Sequence, residues 1–320
     1  MTKLNKRILI TGGAGYIGQN LISFFLKKKY QIYVIDNLSR SMSLNKYFKK
    51  NINFYKIDLA IEKKTKSFFK NRNFDLIIHL AAFSGVQEFN KNVLKSFNNN
   101  VLATKNLVQF AFQKPKTKLI FSSSAAVYGK VSKEKISETH VCQPANYYGL
   151  SKLACENIIN NELKSKKNNY AILRYFNVVG SIVDFKIKKK IHSLYDIISR
   201  NIIKKKYKIN INGSNLDTKD GTPERDFIHI SDLCKIHEKT YKYLSKNKKV
   251  VINCGSGKRY SVLKIVRAFE KKIRKKFRVS YKLMNPDETQ TICANIGLLK
   301  SLFKINLEKK GINSLIKDYL

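Results

Sequence analysis

Along the first half of this chain, apolar residues fall in short runs. Between the runs they recur every three or four positions. "RILIT" is the first run; glycines follow it, then a helical segment around Leu21 to Leu26. "QIYVID" and "INFYKID" read as the second and third strands. A helix around Ser67 to Phe69 leads to a fourth, "FDLIIHLAA". Helical sequence spans Leu94 to Gln113, and "TKLIFSSS" is a fifth strand. From Tyr147 to Leu163 the spacing sets Leu150, Leu153, Ala154 and Ile158 on one helix face. "YAILRYFNVVG" is a further strand running into a loop.

Strands alternating with helices predict a parallel sheet wound on both faces. The expected class is therefore α/β, a doubly wound Rossmann sheet with a smaller C-terminal α/β lobe. After Gly180 the rhythm breaks into Lys-rich helical sequence, the polar stretch "NGSNLDTKDGTPERD" and short strands. "VVINCGSG" again reads as a strand and glycine turn. The expected division is 1–177 for the wound sheet, with 228–256 returning to it. Segments 178–227 and 257–320 would form the lobe.

Gly12, Gly15 and Gly18 follow the first strand and open a helix. Glycines there permit a tight turn, close approach to a pyrophosphate and tight helix-to-strand packing, while the helix N-terminus stabilises the negative charge. Asp36 ends the next strand, placed to hold the hydroxyls of an adenosine ribose and to repel a 2′-phosphate. That favours NAD over NADP, although Arg40 lies nearby and works against the preference. Asp58, after the third strand, is a candidate adenine contact or an ordinary strand-end cap.

Tyr148 and Lys152 lie four residues apart, on one face of the helix expected there. A lysine one turn away favours a tyrosinate by charge attraction, which a tyrosine needs to act as a base at neutral pH. Ser124 ends the strand upstream, where open α/β sheets bind ligands. Tyr260 and Lys264 show the same interval but follow a glycine turn and lack this setting.

Composition narrows the class. With 320 residues and 43% hydrophobic, the chain can bury a large core. No apolar run approaches the roughly 20 residues of a membrane helix, and no cleavable signal is expected before the first strand. A cytoplasmic protein without a membrane partner is the expectation. Five cysteines without a CxxC pair read as free thiols with no metal site. The five histidines are equally scattered, and three follow or interrupt apolar runs as satisfied core residues. The net charge of +41 invites a nucleic-acid partner. Yet lysines recur in short runs along the whole length, at Lys27–Lys29, Lys186, Lys188–Lys190, Lys204–Lys206 and elsewhere. They read as solvated surface, with no nucleic-acid partner and a field that attracts an anionic sugar nucleotide.

The segments "ITGGAGYIG", "DNL", "FSSSAAVYG", "YYGLSK", "LRYFNVVG" and "DGTPERDFIHISDL" together resemble the extended short-chain dehydrogenase/reductase family. Within it they are most similar to the UDP-glucose 4-epimerase group. The resemblance implies that Gly12, Gly15, Tyr16, Ile17 and Gly18 line the NAD pyrophosphate, Asp36 and Asn37 hold the ribose, and Asp58 with Leu59 frames the adenine. It implies that Ala81 and Asn99 border the cofactor, Lys152 grips the nicotinamide ribose, and Tyr175 lies close to the nicotinamide. Ser124 and Tyr148 would act on the sugar, and Asn177 and Arg225 would contact the nucleotide-sugar. A guanidinium at Arg225 suits a phosphate, with a surface pair to Asp226 as the bland alternative. The implied reaction is a transient oxidation of a UDP-hexose at C4, the 4-keto sugar then being reduced on its other face. A homodimer through the helices at 94–113 and 147–163 is also implied.

The chain departs from the family pattern at several points. A family lysine near the cofactor corresponds to Ser84, and a family arginine for the pyrophosphate falls in "LMNPDETQTIC", where Asn285 and Glu288 stand instead. Lys282 is a nearby cation able to compensate. "KIHSLYDII" lacks the asparagine expected near the uracil, and Ile292 falls where side-chain size governs tolerance of a 2-acetamido group. A sugar-nucleotide 4,6-dehydratase would carry an Asp–Glu pair after the catalytic serine; Ala125 and Ala126 argue against it. The alternatives carried forward are a 4-epimerase of UDP-N-acetylglucosamine or another UDP-sugar and, more remotely, a non-catalytic basic NAD-binding protein.

Overall fold

Period-two burial builds the central sheet. In strand β1 (Arg7–Thr11), Ile8 and Ile10 enter one apolar cluster and Leu9 the opposite one. In β4 (Leu76–His79), Leu76 and Ile78 face the first cluster and Ile77 the second. A strand that alternates this way while remaining wholly apolar must be covered on both faces. Each fully buried Ile or Leu contributes about 1.5–3 kcal/mol. The computed structural model describes residues 6–39, 44, 46–84, 89, 92–113, 116–131, 134–183, 193–284, 288–307 and 311–320.

Four more strands of the first half join them: β2 (Gln31–Asp36), β3 (Asn53–Lys56), β5 (Lys118–Ser124) and β6 (Tyr170–Tyr175). With β10 (Lys249–Cys254) they form a seven-stranded sheet in the order β10-β6-β5-β4-β1-β2-β3. Every pairing is parallel. This is the doubly wound α/β sheet that the sequence predicts. One face carries α1 (Tyr16–Leu26), α7 (Ile230–Tyr243) and α9 (Gly297–Phe303). The other carries α3 (Glu62–Phe69), α4 (Val93–Ala111) and α5 (Tyr147–Ser165). A short α2 (Lys46–Asn51) precedes β3.

The run "YAILRYFNVVG" is two strands rather than one. β6 ends at Tyr175, and β7 (Asn177–Val179) pairs with β9 (Glu224–His229) in a second sheet that also holds β11 (Arg259–Ser261) and β13 (Thr291–Ile292). Phe176 is the crossing point, its N–H still bonded to Cys254 O at 3.0 Å. β8 (Lys208–Asn212) and β12 (Arg278–Lys282) form a small parallel pair. α6 (Leu194–Ile203), α8 (Val262–Ile273) and α10 (Ile312–Ile316) pack with these smaller sheets around Tyr195, Phe227 and Phe269.

The apolar face expected on α5 is not its sheet-facing one. Leu150 is 43% exposed, and Leu153, Ala154 and Ile158 are only partly buried. The helix buries Ser151, Lys152, Cys155, Glu156, Ile159 and Leu163 instead. Among the described residues no helix is long and apolar enough to cross a membrane.

Candidate active site

Gly12, Asp36, Asp58, Ala81, Ser124 and Tyr175 fall at or just after the carboxyl ends of β1 to β6, the place where open α/β sheets take ligands, while Asn99, Tyr148 and Lys152 come from helices and Asn177 and Arg225 from the second sheet. At the end of β1 the chain turns at Gly12, whose φ of +67° suits glycine and whose N–H bonds Ile35 O at 2.8 Å. A Cβ at Gly12 would stand 2.7 Å from Ala81 N and 2.8 Å from its Cα, so β1 and the segment after β4 are in backbone contact. Gly18 is buried against Gly12 and Gly13, which brings α1 down onto the strand end. Helix α1 then starts at Tyr16, and the first N–H groups of a helix lack intrahelical acceptors. The Tyr16 hydroxyl does not point to that opening. It donates to Gly180 O at 2.5 Å, and burial raises its pKa well above the usual value.

The carboxylate of Asp36 braces this turn. Its Oδ2 accepts Ala14 N–H at 3.0 Å and its Oδ1 accepts Leu38 N–H at 2.8 Å. Asn37 Nδ2 donates to Asp58 Oδ2 at 3.0 Å, which joins the ends of β2 and β3. Asp58 also caps the next turn through Ala60 N–H at 2.9 Å. The Leu59 side chain lies in the apolar core, and its carbonyl accepts Thr65 Oγ–H at 3.0 Å and Asn106 Nδ2–H at 2.9 Å. Arg40 lies outside the described residues.

Ala81 N–H donates to Thr11 Oγ1 at 3.3 Å. Asn99 is partly buried on α4. Its neighbour Asn100, which the sequence reading passed over, is the residue that ties this region together. Its Oδ1 accepts Phe83 N–H at 2.7 Å, and its Nδ2 donates to Phe83 O and Ser151 Oγ, each at 3.1 Å. In a run of three asparagines nothing in the sequence distinguishes them. Ser84 is exposed at the end of that loop.

At the chemical end, Asn146 caps α5 by accepting Gly149 N–H at 2.9 Å. Lys152 is 3% exposed and donates to Ser122 O at 2.7 Å. Burial pushes its pKa down to about 8, against a pull upward from Cys155 and Glu156. Tyr148, one turn earlier, is partly buried with its ring edge-on to Phe89 at 5.9 Å. Ser124 Oγ accepts Ala126 N–H at 3.2 Å at the end of β5, and its register partner on β6 is Tyr175. Tyr175 meets His237 Nε2 at 2.7 Å, while His237 Nδ1 meets Leu233 O at 2.9 Å. A carbonyl only accepts, so the neutral imidazole donates from Nδ1 and accepts the Tyr175 O–H hydrogen bond at Nε2. Burial pushes Tyr175 well above the ordinary range and His237 down to about 4. A second buried histidine, His79, bridges Thr11 and Thr104 at 2.7 and 3.1 Å and is lowered to about 3 by burial.

Asn177 donates from Nδ2 to Asp226 O at 3.2 Å. Arg225 does not pair with Asp226. Successive strand residues face opposite ways, and Asp226 is fully buried, its carboxylate accepting Ser256 N–H and Oγ–H at 2.7 Å, Gly257 N–H at 3.0 Å and Ala294 N–H at 3.1 Å. Arg225 Nη1 donates to Gln290 O at 2.9 Å and Glu224 O at 3.0 Å, and Nη2 stands 3.7 Å from Glu288. Burial lowers the Arg225 pKa. Lys282 is exposed on β12, Ile292 is buried on β13, and Asn285 lies outside the described residues. The Tyr260–Lys264 interval straddles a strand and a helix: Tyr260 lies on β11 and Lys264 on α8, with the ammonium 5.7 Å from the ring centre. Among the described residues no His, Cys, Asp and Glu group is arranged to hold a metal.

The family model of the NAD dependent epimerase/dehydratase family matches residues 8–255. A UDP-glucose 4-epimerase of Dictyostelium discoideum is 35% identical over 282 residues, 84% of this chain and 82% of that protein. The solved UDP-Glc/GlcNAc 4-epimerase of Campylobacter jejuni superposes with a TM-score of 0.83 at 32% identity, covering 98% of both chains. The UDP-glucose 4-epimerase of Bifidobacterium longum, solved with NAD+ and UDP, gives a TM-score of 0.89 at 27% identity over 98% of this chain and 97% of that one. The parallel seven-stranded sheet agrees with these matches, and the chain belongs to the NAD-dependent epimerase/dehydratase family.

Proposed function

We propose that this protein is an NAD-dependent 4-epimerase that interconverts UDP-glucose and UDP-galactose through a transient 4-keto sugar. The observation that carries this reading is the buried Lys152 ammonium, pinned to Ser122 O at 2.7 Å one helical turn from Tyr148. The residues present fit NAD. A Cβ at Gly15 would meet Gly12 O at 3.1 Å and no other described atom within 4 Å, so the turn keeps a space there that a side chain would fill, and the first-turn N–H groups of Tyr16, Ile17 and Gly18 suit a pyrophosphate beside it. Asp36 and Asn37 lie where the adenosine ribose would sit, Asp58 and the Leu59 backbone beside the adenine, Ala81 and Asn99 along the cofactor, and Tyr175 against the nicotinamide. NAD, when bound, supplies the reversible two-electron acceptor for the sugar C4.

The chain's own residues manage the proton. Lys152 holds a positive charge that favours a phenolate on Tyr148, which takes the proton of the 4-hydroxyl and later returns it. Tyr175 is excluded as the base, because its hydroxyl is committed to His237 and burial holds it protonated. Ser124 hydrogen-bonds the same sugar oxygen. Ala125 and Ala126 offer no acid pair for water elimination. Asn177 and Arg225 meet the nucleotide-sugar, with Arg225 on the diphosphate. The outer faces of α4 and α5 leave Leu94 75% exposed and Leu102 and Leu150 43% exposed, which supports a homodimer through those helices. The free cysteines fit a reducing cytoplasm.

Replacing Tyr148 with Phe tests the reading. UDP-galactose to UDP-glucose conversion should fall by about 10²–10⁴-fold. Near-normal turnover in that variant removes the proposed base. Running UDP-N-acetylgalactosamine beside UDP-galactose ranks the second reading, which the Campylobacter jejuni neighbour favours. No interconversion of any UDP-sugar would sink both.

A further inference from the structure

Three consecutive serines end β5, and two of them pin α5. The carbonyl of Ser122 takes Lys152 at 2.7 Å, and Ser123 Oγ donates to Glu156 Oε1 at 2.5 Å. Tyr148, Lys152 and Glu156 follow one another at four-residue steps, so they form a single stripe along the helix. Glu156 is 2% exposed and receives Arg174 in a two-point grip, Nε at 3.1 Å and Nη2 at 2.8 Å. Arg174 Nη1 then donates to Tyr128 Oη at 2.9 Å, and Tyr128 donates to Asn253 Oδ1 at 2.8 Å. Five segments are thereby joined: β5, the 3-10 turn after it, α5, β6 and β10.

A buried ion pair is weak evidence for stability, since well-packed apolar residues often do as well or better. Its placement calls for another account. The buried apolar contacts of α5 are Cys155, Ile159 and Leu163, all at or beyond its middle. The half that carries Tyr148 buries Gly149, Ser151 and Lys152 instead. Its packing there is Leu153 on the Val127 and Tyr128 cluster, Gly149 close against the Ala126 backbone and Tyr148 on Phe89, and the polar pins act beside these contacts in setting the register.

We infer that Glu156, held by Ser123 and Arg174, is a positioning residue that fixes the register of α5 along the end of β5 and so sets Tyr148 and Lys152 against Ser124. The inference rests on the acid–base roles given above to Tyr148 and Lys152. A misplacement of about 1 Å in such a constellation costs on the order of 10²-fold in rate. Glu156 has a second consequence, because among the described residues it is the one carboxylate that raises the Lys152 pKa. His79 on β4 is neutral, Cys155 on α5 is held as a thiol by burial, and Tyr175 on β6 is held as a phenol.

Ser123→Ala is the cleaner test, since it removes the pin and leaves the Glu156–Arg174 pair. The kcat for UDP-galactose should fall about tenfold with KM within about twofold, and the melting temperature should drop only slightly. Glu156→Gln combined with Arg174→Gln removes both charges together. Its kcat should fall at least as far, and the alkaline limb of its pH–rate profile should move down by roughly half a unit as Lys152 loses a carboxylate neighbour. A purely structural role would not move that limb. If the double variant does not fold, Ser123→Ala decides alone. Wild-type kcat in folded Ser123→Ala, with Tyr148→Phe inactive, overturns the positioning inference and leaves the epimerase reading standing. An active Tyr148→Phe overturns the epimerase reading itself.

Discussion

Two glycines of the opening turn separate cofactor contact from backbone strain. At Gly12, alanine meets two costs. The φ of +67° costs an L-residue roughly 1–2 kcal/mol. The new Cβ would also stand 2.7, 2.8 and 2.9 Å from Ala81 N, Ala81 Cα and Leu80 C, all backbone atoms that cannot rotate away. Forcing them apart resembles overpacking a core, about 1–3 kcal/mol. At about 2–4 °C per kcal/mol, the melting temperature of Gly12→Ala should fall by about 5–15 °C. At Gly15, φ is −73° and the one close atom is Gly12 O at 3.1 Å. Alanine is a poorer helix cap than glycine, but it restricts the unfolded chain by about 0.4–1 kcal/mol, so stability should stay near that of the parent. Its methyl would instead enter the space assigned to the pyrophosphate.

The expected result is therefore a crossed pattern. Gly15→Ala, stripped of nucleotide, should melt within about 2 °C of the parent yet bind NAD at least tenfold more weakly, a loss of about 1.4 kcal/mol. Gly12→Ala should lose both. Thermal unfolding of the stripped proteins and NAD titration by calorimetry measure the two quantities separately. NAD affinity within twofold of the parent in Gly15→Ala would refute the placement of the pyrophosphate. An unchanged melting temperature in Gly12→Ala would refute the backbone-contact argument.

Two pH predictions follow from buried groups. Lys152 is charged below about 8 and neutral above it, so kcat/KM should fall as pH rises through about 8, and Lys152→Met should abolish that limb along with most of the rate. A profile flat to pH 9.5 would contradict it. His79 and His237 titrate near about 3 and about 4 in the folded protein. The unfolded chain takes up those protons below about 6.5, so stability present above that pH is lost on acidification. The loss is roughly 1.4 kcal/mol per pH unit per histidine between about pH 6 and 4. Urea midpoints at pH 7.5 and 5.0 measure it, and equal midpoints would refute it.

The central sheet was legible because its rule is local. A strand covered on both faces reads as a continuous apolar run, and the crossovers between such runs read as helices. The path of "YAILRYFNVVG" was not, because leaving one sheet for another at Phe176 is decided by which strand lies next to β7, and β9 comes some fifty residues later. The surface pair of Arg225 with Asp226, the alternative to a phosphate contact, fails for the same reason, since Asp226 is fully buried. The buried carboxylate finds its donors at Ser256, Gly257 and Ala294, on segments remote in sequence. A signal for the Glu156–Arg174 pair was nonetheless present. Arg174 interrupts a strand buried at all six positions, and a charge there requires a partner.

Helix α5 shows most clearly what residue spacing can and cannot say. Its apolar stripe announces a helix, but the conclusion that this stripe meets the sheet does not follow. The sheet-facing side is polar toward the strand ends, where Lys152 and Glu156 reach Ser122 and Ser123, and apolar along Cys155, Ile159 and Leu163. The apolar stripe is left for another surface, and a second copy of α4 and α5 is the proposed occupant. The interval shared with Tyr260 and Lys264 makes the complementary point. Four residues mean one face only inside one helix, and there the count crosses from β11 into α8. What distinguishes the two pairs is the strand each helix is laid against. For α5 that strand ends in Ser122, Ser123 and Ser124, and this is the context that gives Tyr148 and Lys152 their chemistry.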